Sequence, residues 1–276
     1  HPNLGWRWGF ASGAVPALLV VWVMWSVREP EQWVQARKEA GHDRQQQLGR
    51  FTELFSPSLV RRTLVGFTLA AIGLGTYWGV HIYGRELYRQ NVERKYLAET
   101  DSSGGEPTRE AMLEIHGPAI KRAEMLGMFL ASSGAGLGLL AFGPLSERLG
   151  RRGAFLFFVL GGFGATLVLF QTLSAAPVHL FWVILPVFGF LTVGMNAGPA
   201  IYFPELFPTR VRATGTGFCF NGGRFLAAFS LIMVALMRDV WGLAMEDYVC
   251  LMGLLYLLGV VVLVFAPETK GRELPT

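Results

Sequence analysis

The feature that most limits what this chain can fold into is a set of long runs free of Asp, Glu, Lys and Arg. They extend from Trp8 to Val27, Thr63 to Gly84, Met125 to Ser146 and Tyr248 to Pro267, each near the ~20 residues a helix needs to cross a hydrocarbon core. Gly153 to Pro204 is uncharged for 52 residues. That is too long for one crossing, and Ala175-Ala176-Pro177 supplies a break near its middle. Ala213 to Met237 is interrupted only by Arg224. The runs are apolar on all sides, unlike the striped helices of a water-soluble bundle. No period-two alternation runs through them, which excludes a membrane β-barrel. The expected fold is all-α: a polytopic transmembrane bundle with seven spans at 8–27, 59–84, 125–142, 153–173, 178–202, 212–237 and 244–266.

Composition agrees with a lipid bilayer as the main partner, since 52% of the 276 residues are hydrophobic and only 16% charged. The segments 28–58, 143–152, 203–211 and 267–276, with the ends of the spans beside them, carry 14 Lys and Arg residues. The positive-inside bias therefore places them, and the C-terminus, in the cytoplasm. A second long connector, 85–124, holds seven basic and eight acidic residues and is expected outside. Its tip, TDSSGGEPT, reads as a flexible turn between two charged arms. The segment EPEQWVQARKEAGHDRQQQ within 28–58 reads as short amphipathic or flexible structure. Cys219 and Cys250 both fall in apolar spans and read as packing residues, so neither a disulfide framework nor a metal site is expected. The net charge of +4 follows from the basic loops. No basic patch interleaved with aromatics points to nucleic acid. No span carries a paired acid, a nucleophile triad or a metal cluster, so an enzyme is not expected, nor is a cofactor.

The chain opens at His1, and its first apolar run begins within eight residues. An odd number of spans with a cytoplasmic C-terminus predicts that further helices precede this one. Glycine pairs such as those in GFASG (Gly9 to Gly13) and GAGLG (Gly134 to Gly138) predict close helix contacts.

The short segment GPLSERLGRR, Gly143 to Arg152, packs charge into a turn between two spans. It resembles the loop signature of the major facilitator superfamily, Gly-x-Leu-x-Asp/Glu-Arg-x-Gly-Arg-Arg, at Gly143, Leu145, Glu147, Arg148, Gly150, Arg151 and Arg152. Three more stretches are similar, in order and spacing, to motifs of its sugar-porter-like members. REPEQWV (Arg28 to Val34) resembles the segment after their helix six. YFPELFPTRVRATGTG (Tyr202 to Gly217) resembles the segment between helices ten and eleven, and APETKGREL (Ala266 to Leu274) the segment after helix twelve. The resemblance implies helices six to twelve of a twelve-helix transporter whose N-terminal helical half lies outside this chain. It further implies alternating access and a small-molecule substrate, with a proton as the expected co-substrate. TLAAIGLGTYWGVHIYG lacks the paired glutamines of hexose carriers. TGTGFCFNGGRF looks like carriers of sialic acids and of aromatic or other organic acids, so an organic anion or sugar acid is the expected cargo. A bacterial cytoplasmic membrane is the expected location. A seven-helix receptor shares the span count but not the loop signatures. A transporter-derived sensor without transport, or an inactive truncated chain, is the alternative.

Arg224 is the first candidate substrate contact. It lies 12 residues after Arg212, ~18 Å along a helix, and a charge at that depth faces a cavity or a partner. No Asp or Glu occurs in the apolar runs of the seven spans to pair with it. Asn221, one turn earlier, and Asn196, near Gly198-Pro199, are polar candidates that packing explains equally well. Tyr77, Trp78 and His81 share one helix face, as binding residues or as an aromatic belt near the outer surface. The charges of the three motif loops are expected to pair across the cytoplasmic side as a gate: Glu147, Arg148, Arg151 and Arg152 with Glu205, Arg210, Arg212 and Glu268. Anchoring explains the arginines but not the interspersed glutamates.

Overall fold

The computed structural model describes residues 5–27, 34, 48–101 and 109–275. Most of the segment 28–47, including REPEQW, and the 102–108 part of the outer tip lie outside the described residues. The chain divides into two compact units, His1–Leu48 and Gly49–Thr276. In the first, α1 (Gly5–Ser12) and α2 (Val15–Ser26) follow one another, with Pro16 in the first turn of α2. Proline is well placed there, because the missing N–H has no intrahelical acceptor in that turn.

The second unit is entirely helical among its described residues apart from short turns. After a 3-10 turn, Phe51–Phe55, α3 (Val60–Thr76) runs through a π-helical segment, Tyr77–His81, into α4 (Ile82–Asp101). The 40 helical residues from Val60 to Glu99 amount to ~60 Å at 1.5 Å per residue, twice the thickness of a hydrocarbon core. The apolar run ends at Gly84, and α4 carries the helix on beyond it with Leu87, Tyr88, Asn91 and Val92 still buried. The charged first arm of the 85–124 connector is thus helix as far as Asp101.

α5 (Arg109–Leu167) is written as one helix but is broken at Gly150, where φ is 81° and ψ is 167°. The chain doubles back there. Phe142 and Phe155 have ring centroids 5.0 Å apart, and Phe142 and Phe158 5.9 Å, whereas 16 residues of straight helix would separate them by ~24 Å. Among the described residues, six helical stretches are long and apolar enough to cross a membrane. One of them, Ile115–Thr172, is this hairpin, which holds two of the seven runs read from the sequence. The chain is an integral membrane protein.

A π-helical turn, Val168–Thr172, ends the hairpin, and α6 (Phe181–Val193), a 3-10 segment Gly194–Ala197 and α7 (Gly198–Leu206) form the next rod. α8 (Arg212–Ala235), a π-helical turn Leu236–Val240 and α9 (Met245–Phe265) complete the unit. The glycines of GAGLG explain how closely α5 and α6 approach. A Cβ on Gly134 would stand 1.9 Å from the Pro186 carbonyl oxygen, and one on Gly138 2.4 Å from that of Phe190. In lipid, where burial alone does not drive helices together, such backbone contact is what holds them.

Candidate functional site

Two regions collect the polar side chains of the second unit. The first lies where the helices lose α-helical geometry, at Tyr77–His81 and Gly194–Ala197. His81 is buried, with Nδ1 3.0 Å from Thr192 Oγ1. The Thr192 hydroxyl gives its hydrogen to the Phe188 carbonyl at 2.7 Å. It therefore accepts from His81, which fixes the Nδ1–H tautomer. The imidazole lies between Tyr77, at 5.2 Å and 24°, and Phe188, at 5.9 Å and 9°. The Tyr256 hydroxyl donates to the Thr192 carbonyl at 3.1 Å. Asn196 is half-buried against Gly73 of α3, its Oδ1 2.5 Å from where a Cβ would be. π and 3-10 segments of this kind often mark functional sites and hinges.

The face that was read as Tyr77, Trp78 and His81 is therefore split. Trp78 is exposed, Tyr77 is half-buried, and His81 points into the packed interior between α3 and α6. Arg224 and Asn221 share the open side of α8, opposite buried Gly223, Ala227 and Ser230. The Arg224 guanidinium carbon is 5.2 Å from the centroid of the Phe220 ring, a cation–π contact one turn away. Asn221 donates to the Gly217 carbonyl at 2.9 Å. Tyr77 and Asn196 are thus organised by α3 and α6, while Asn221 and Arg224 ride on α8.

The second region is at the Gly150 end of the bundle. Arg151 Nε lies 3.1 Å and Nη2 2.8 Å from the two carboxylate oxygens of Glu205, a two-pronged grip. Its Nη1 reaches Glu147 at 2.5 Å and the Ser146 hydroxyl at 3.0 Å. Glu205 also accepts from the Thr269 hydroxyl at 2.5 Å. Glu268 accepts four backbone N–H bonds, from Arg151, Arg152, Thr269 and Lys270, at 2.9, 3.1, 3.1 and 3.0 Å. It caps the arm of α5 that begins after Gly150. Burial would raise the Glu268 carboxyl, but the backbone donors outweigh it and hold the group below the usual glutamate value. Gly150 is obligatory here: its φ is positive, and a Cβ would stand 2.7 Å from Glu268 Oε2. Tyr202 closes the arrangement, donating to the Pro267 carbonyl at 2.7 Å.

Of the eight charges expected to form a gate, the structure brings together the side chains of Glu147, Arg151, Glu205 and Glu268. Arg152 contributes its backbone N–H, and Arg148 its carbonyl, which accepts from Lys270 Nζ at 3.2 Å. Both side chains are exposed. Arg210 pairs instead with Glu53 of the 3-10 turn, 2.5 Å from Nη2. Arg212 donates to the carbonyls of Phe207 and Pro275, at 3.2 and 2.8 Å. Ser146, Thr269 and Glu53 escaped the reading of charge alone, although Ser146 and Thr269 lie inside the motif segments that carry it.

With this geometry in view, the chain compares closely with known transporters. The family described as "Sugar (and other) transporter" matches residues 128–276, which include both the hairpin turn and the charge cluster. The chain belongs to this family, within the major facilitator superfamily. The cis,cis-muconate transport protein of Acinetobacter baylyi is 24% identical over 276 residues, 98% of this chain and 59% of its own length. The inner membrane metabolite transport protein YgcS of Escherichia coli is 27% identical over 281 residues, 98% of this chain and 58% of its own length. A Haemophilus influenzae relative named for metabolite transport is 24% identical over 99% of this chain and 61% of its own length. The chain thus spans somewhat under two thirds of the length of these relatives.

Proposed function

We propose that this chain is the C-terminal part of a secondary transporter that moves a small organic anion, with a proton, by alternating access across a bacterial cytoplasmic membrane. The observation that carries the cargo class is Arg224. It stands on the open side of α8, stacked on Phe220, in a chain whose apolar runs hold no carboxylate to pair with it. A cation kept at membrane depth without an acidic partner suits a substrate carboxylate, which supplies the missing charge when it binds. The muconate carrier among the relatives moves such an anion by its name. Proton carriage is assigned to helices outside this chain, because the apolar runs of its own spans carry no Asp or Glu and the last span holds Glu246 and Asp247 only in its first turn.

The Gly150 end is proposed as cytoplasmic, and its cluster as a latch for one of the two access states. The cluster joins the hairpin turn, the end of α7 and the C-terminal tail. A network present in one state and absent in the other biases the equilibrium between them. The irregular turns at Tyr77–His81 and Gly194–Ala197 support a midplane site near α3 and α6. Asn196, Tyr77 and Trp78 are its proposed polar and aromatic walls, and Asn221 a neighbour of the bound anion. The test is uptake of cis,cis-muconate or a related acid by the intact transporter carrying Arg224→Gln. A rise in KM of at least tenfold supports the reading; an unchanged KM overturns it.

A further inference from the structure

We propose that a pocket at the outer end of the bundle, between α4 and the connector from α5 to α6, binds an organic carboxylate with a flat apolar body. The site belongs to the part of the 85–124 connector that the proposed transport cycle leaves without a role. α4 carries the polar sequence IYGRELYRQNVERKYLAETD, and Arg94 lies ~18 Å along the helix from Ile82. Against it stands the connector Ala175-Ala176-Pro177 and the start of α6, and between them is a cavity of about 620 Å³. That is the size of a small-molecule site.

The walls supply the recognition chemistry. Arg94, Lys95 and His179 line the pocket together with the aromatic rings of Tyr88 and Trp182. Tyr88 is buried and packed on Phe181 at 5.6 Å, which fixes its ring, while Trp182 is exposed. The two cations are loosely held. Arg94 is 4.0 Å from Glu246, and Lys95 is 3.7 Å from Glu99, both in half-exposed settings. Pairs of this length and exposure contribute little and give way to a better acceptor. The pocket wall is also fixed in place. Buried Asn91 gives its amide hydrogens to the Leu87 carbonyl at 2.9 Å and, across the gap, to the Ser174 carbonyl at 2.8 Å. The connector is thereby pinned to α4. Cations on the α4 wall and the exposed Trp182 ring on the α6 wall match a carboxylate carried on a planar body. The ligand class rests on the organic-anion reading above.

The experiment follows Trp fluorescence of the intact transporter in phosphatidylcholine nanodiscs during titration with benzoate. Saturable quenching is expected, lost in Trp182→Phe and shifted to about tenfold weaker binding in Arg94→Gln/Lys95→Gln. Lys121→Gln, outside the pocket, is expected to bind as the parent does. Melting temperatures matching the parent show that the exposed substitutions leave the fold intact. Uptake by the double variant is expected to show a raised KM with unchanged kcat, as for a site that collects anions ahead of the transport step. Unchanged benzoate affinity in the double variant overturns the proposal. Quenching that requires phosphatidylglycerol in the disc also overturns it, by assigning the pocket to a lipid headgroup. If the parent takes up no organic acid while pocket binding persists, the transport reading fails and the pocket stands.

Discussion

Arginine is used in opposite ways at the two ends of the second unit. At the Gly150 end, the Arg151 side chain is 9% exposed and held by Glu205, Glu147 and Ser146, with Glu205 itself only 18% exposed. At the Asn91 end, the Arg94 side chain is 52% exposed, with an acid no nearer than 4.0 Å in its ion pair. A buried guanidinium whose donors are matched to protein carboxylates is part of the fold. An exposed one with a distant partner remains available to a ligand. The difference teaches that the density of charge in a loop does not reveal its use; what decides it is whether the partner carboxylates are close and buried with the cation.

The largest effect is expected where backbone and charge coincide, at Gly150→Ala. An L-residue at this φ and ψ, a region populated almost only by glycine, costs about 1–3 kcal/mol. The new methyl also meets Glu268 Oε2 at 2.7 Å, so the carboxylate must leave its four backbone donors. The combined loss is on the order of 3 kcal/mol. Thermal unfolding of the purified protein checks it, and a melting temperature equal to the parent's would show that the hairpin does not need this turn.

Glu205→Gln comes next. It leaves Arg151 buried with its two-pronged partner neutralised, which costs up to about 3 kcal/mol for a largely buried pair. Glu147 remains, so the observed loss falls below that limit. The double variant Arg151→Gln/Glu205→Gln removes both charges and is expected to recover much of the stability. If the cluster is a latch, uptake stays impaired in the double variant even as the melting temperature returns. Recovery of both would reduce the cluster to a packing feature.

The same contrast explains what the sequence made legible. Apolar runs of crossing length gave the spans, because lipid forces every backbone group to be paired within its own helix. The loop signature located Gly150, Arg151 and, through the third motif, Glu268. Partner choice was not legible. Arg210 lies five residues from Glu205 in the sequence, yet helix α7 ends between them and Arg210 turns to Glu53 instead. Which of two neighbouring charges faces a given loop depends on where a helix stops. The inward position of His81 was not legible for a related reason: the π-helical turn at Tyr77–His81 shifts side chains off the 3.6-residue spacing from which a shared face with Tyr77 and Trp78 was inferred. The pocket at Arg94 was invisible because its second wall comes from a connector about 80 residues further along the chain.

Acid sensitivity separates the ends next. The Glu268 carboxyl is held below the ordinary glutamate value by its backbone donors. Its contribution is therefore complete above that value and is lost as pH falls through the lower folded value, when the carboxylate is protonated and its backbone donors lose their charged acceptor. Melting temperature measured from pH 6 downward should begin to fall below ~4.5. Glu268→Gln should be less stable at pH 6 and show a flatter slope. Equal slopes in parent and variant would move the acid transition to another carboxylate.

The smallest effect is expected in the π-helical turn after α8, where Arg238 grips its neighbour Asp239 at 2.6 and 3.0 Å. The distances are as short as those around Arg151, but both side chains are more than half exposed, at 59% and 56%. The two are adjacent in sequence, so the pair ties no separate segments together. Water and salt screen such a pair, and ordering two side chains offsets what remains. Arg238→Gln should leave the melting temperature unchanged within error, at low salt and at high. A clear loss at low salt would show that short distance alone, without burial or a second segment, is enough to make an arginine structural here, and the distinction drawn between Arg151 and Arg94 would fail with it.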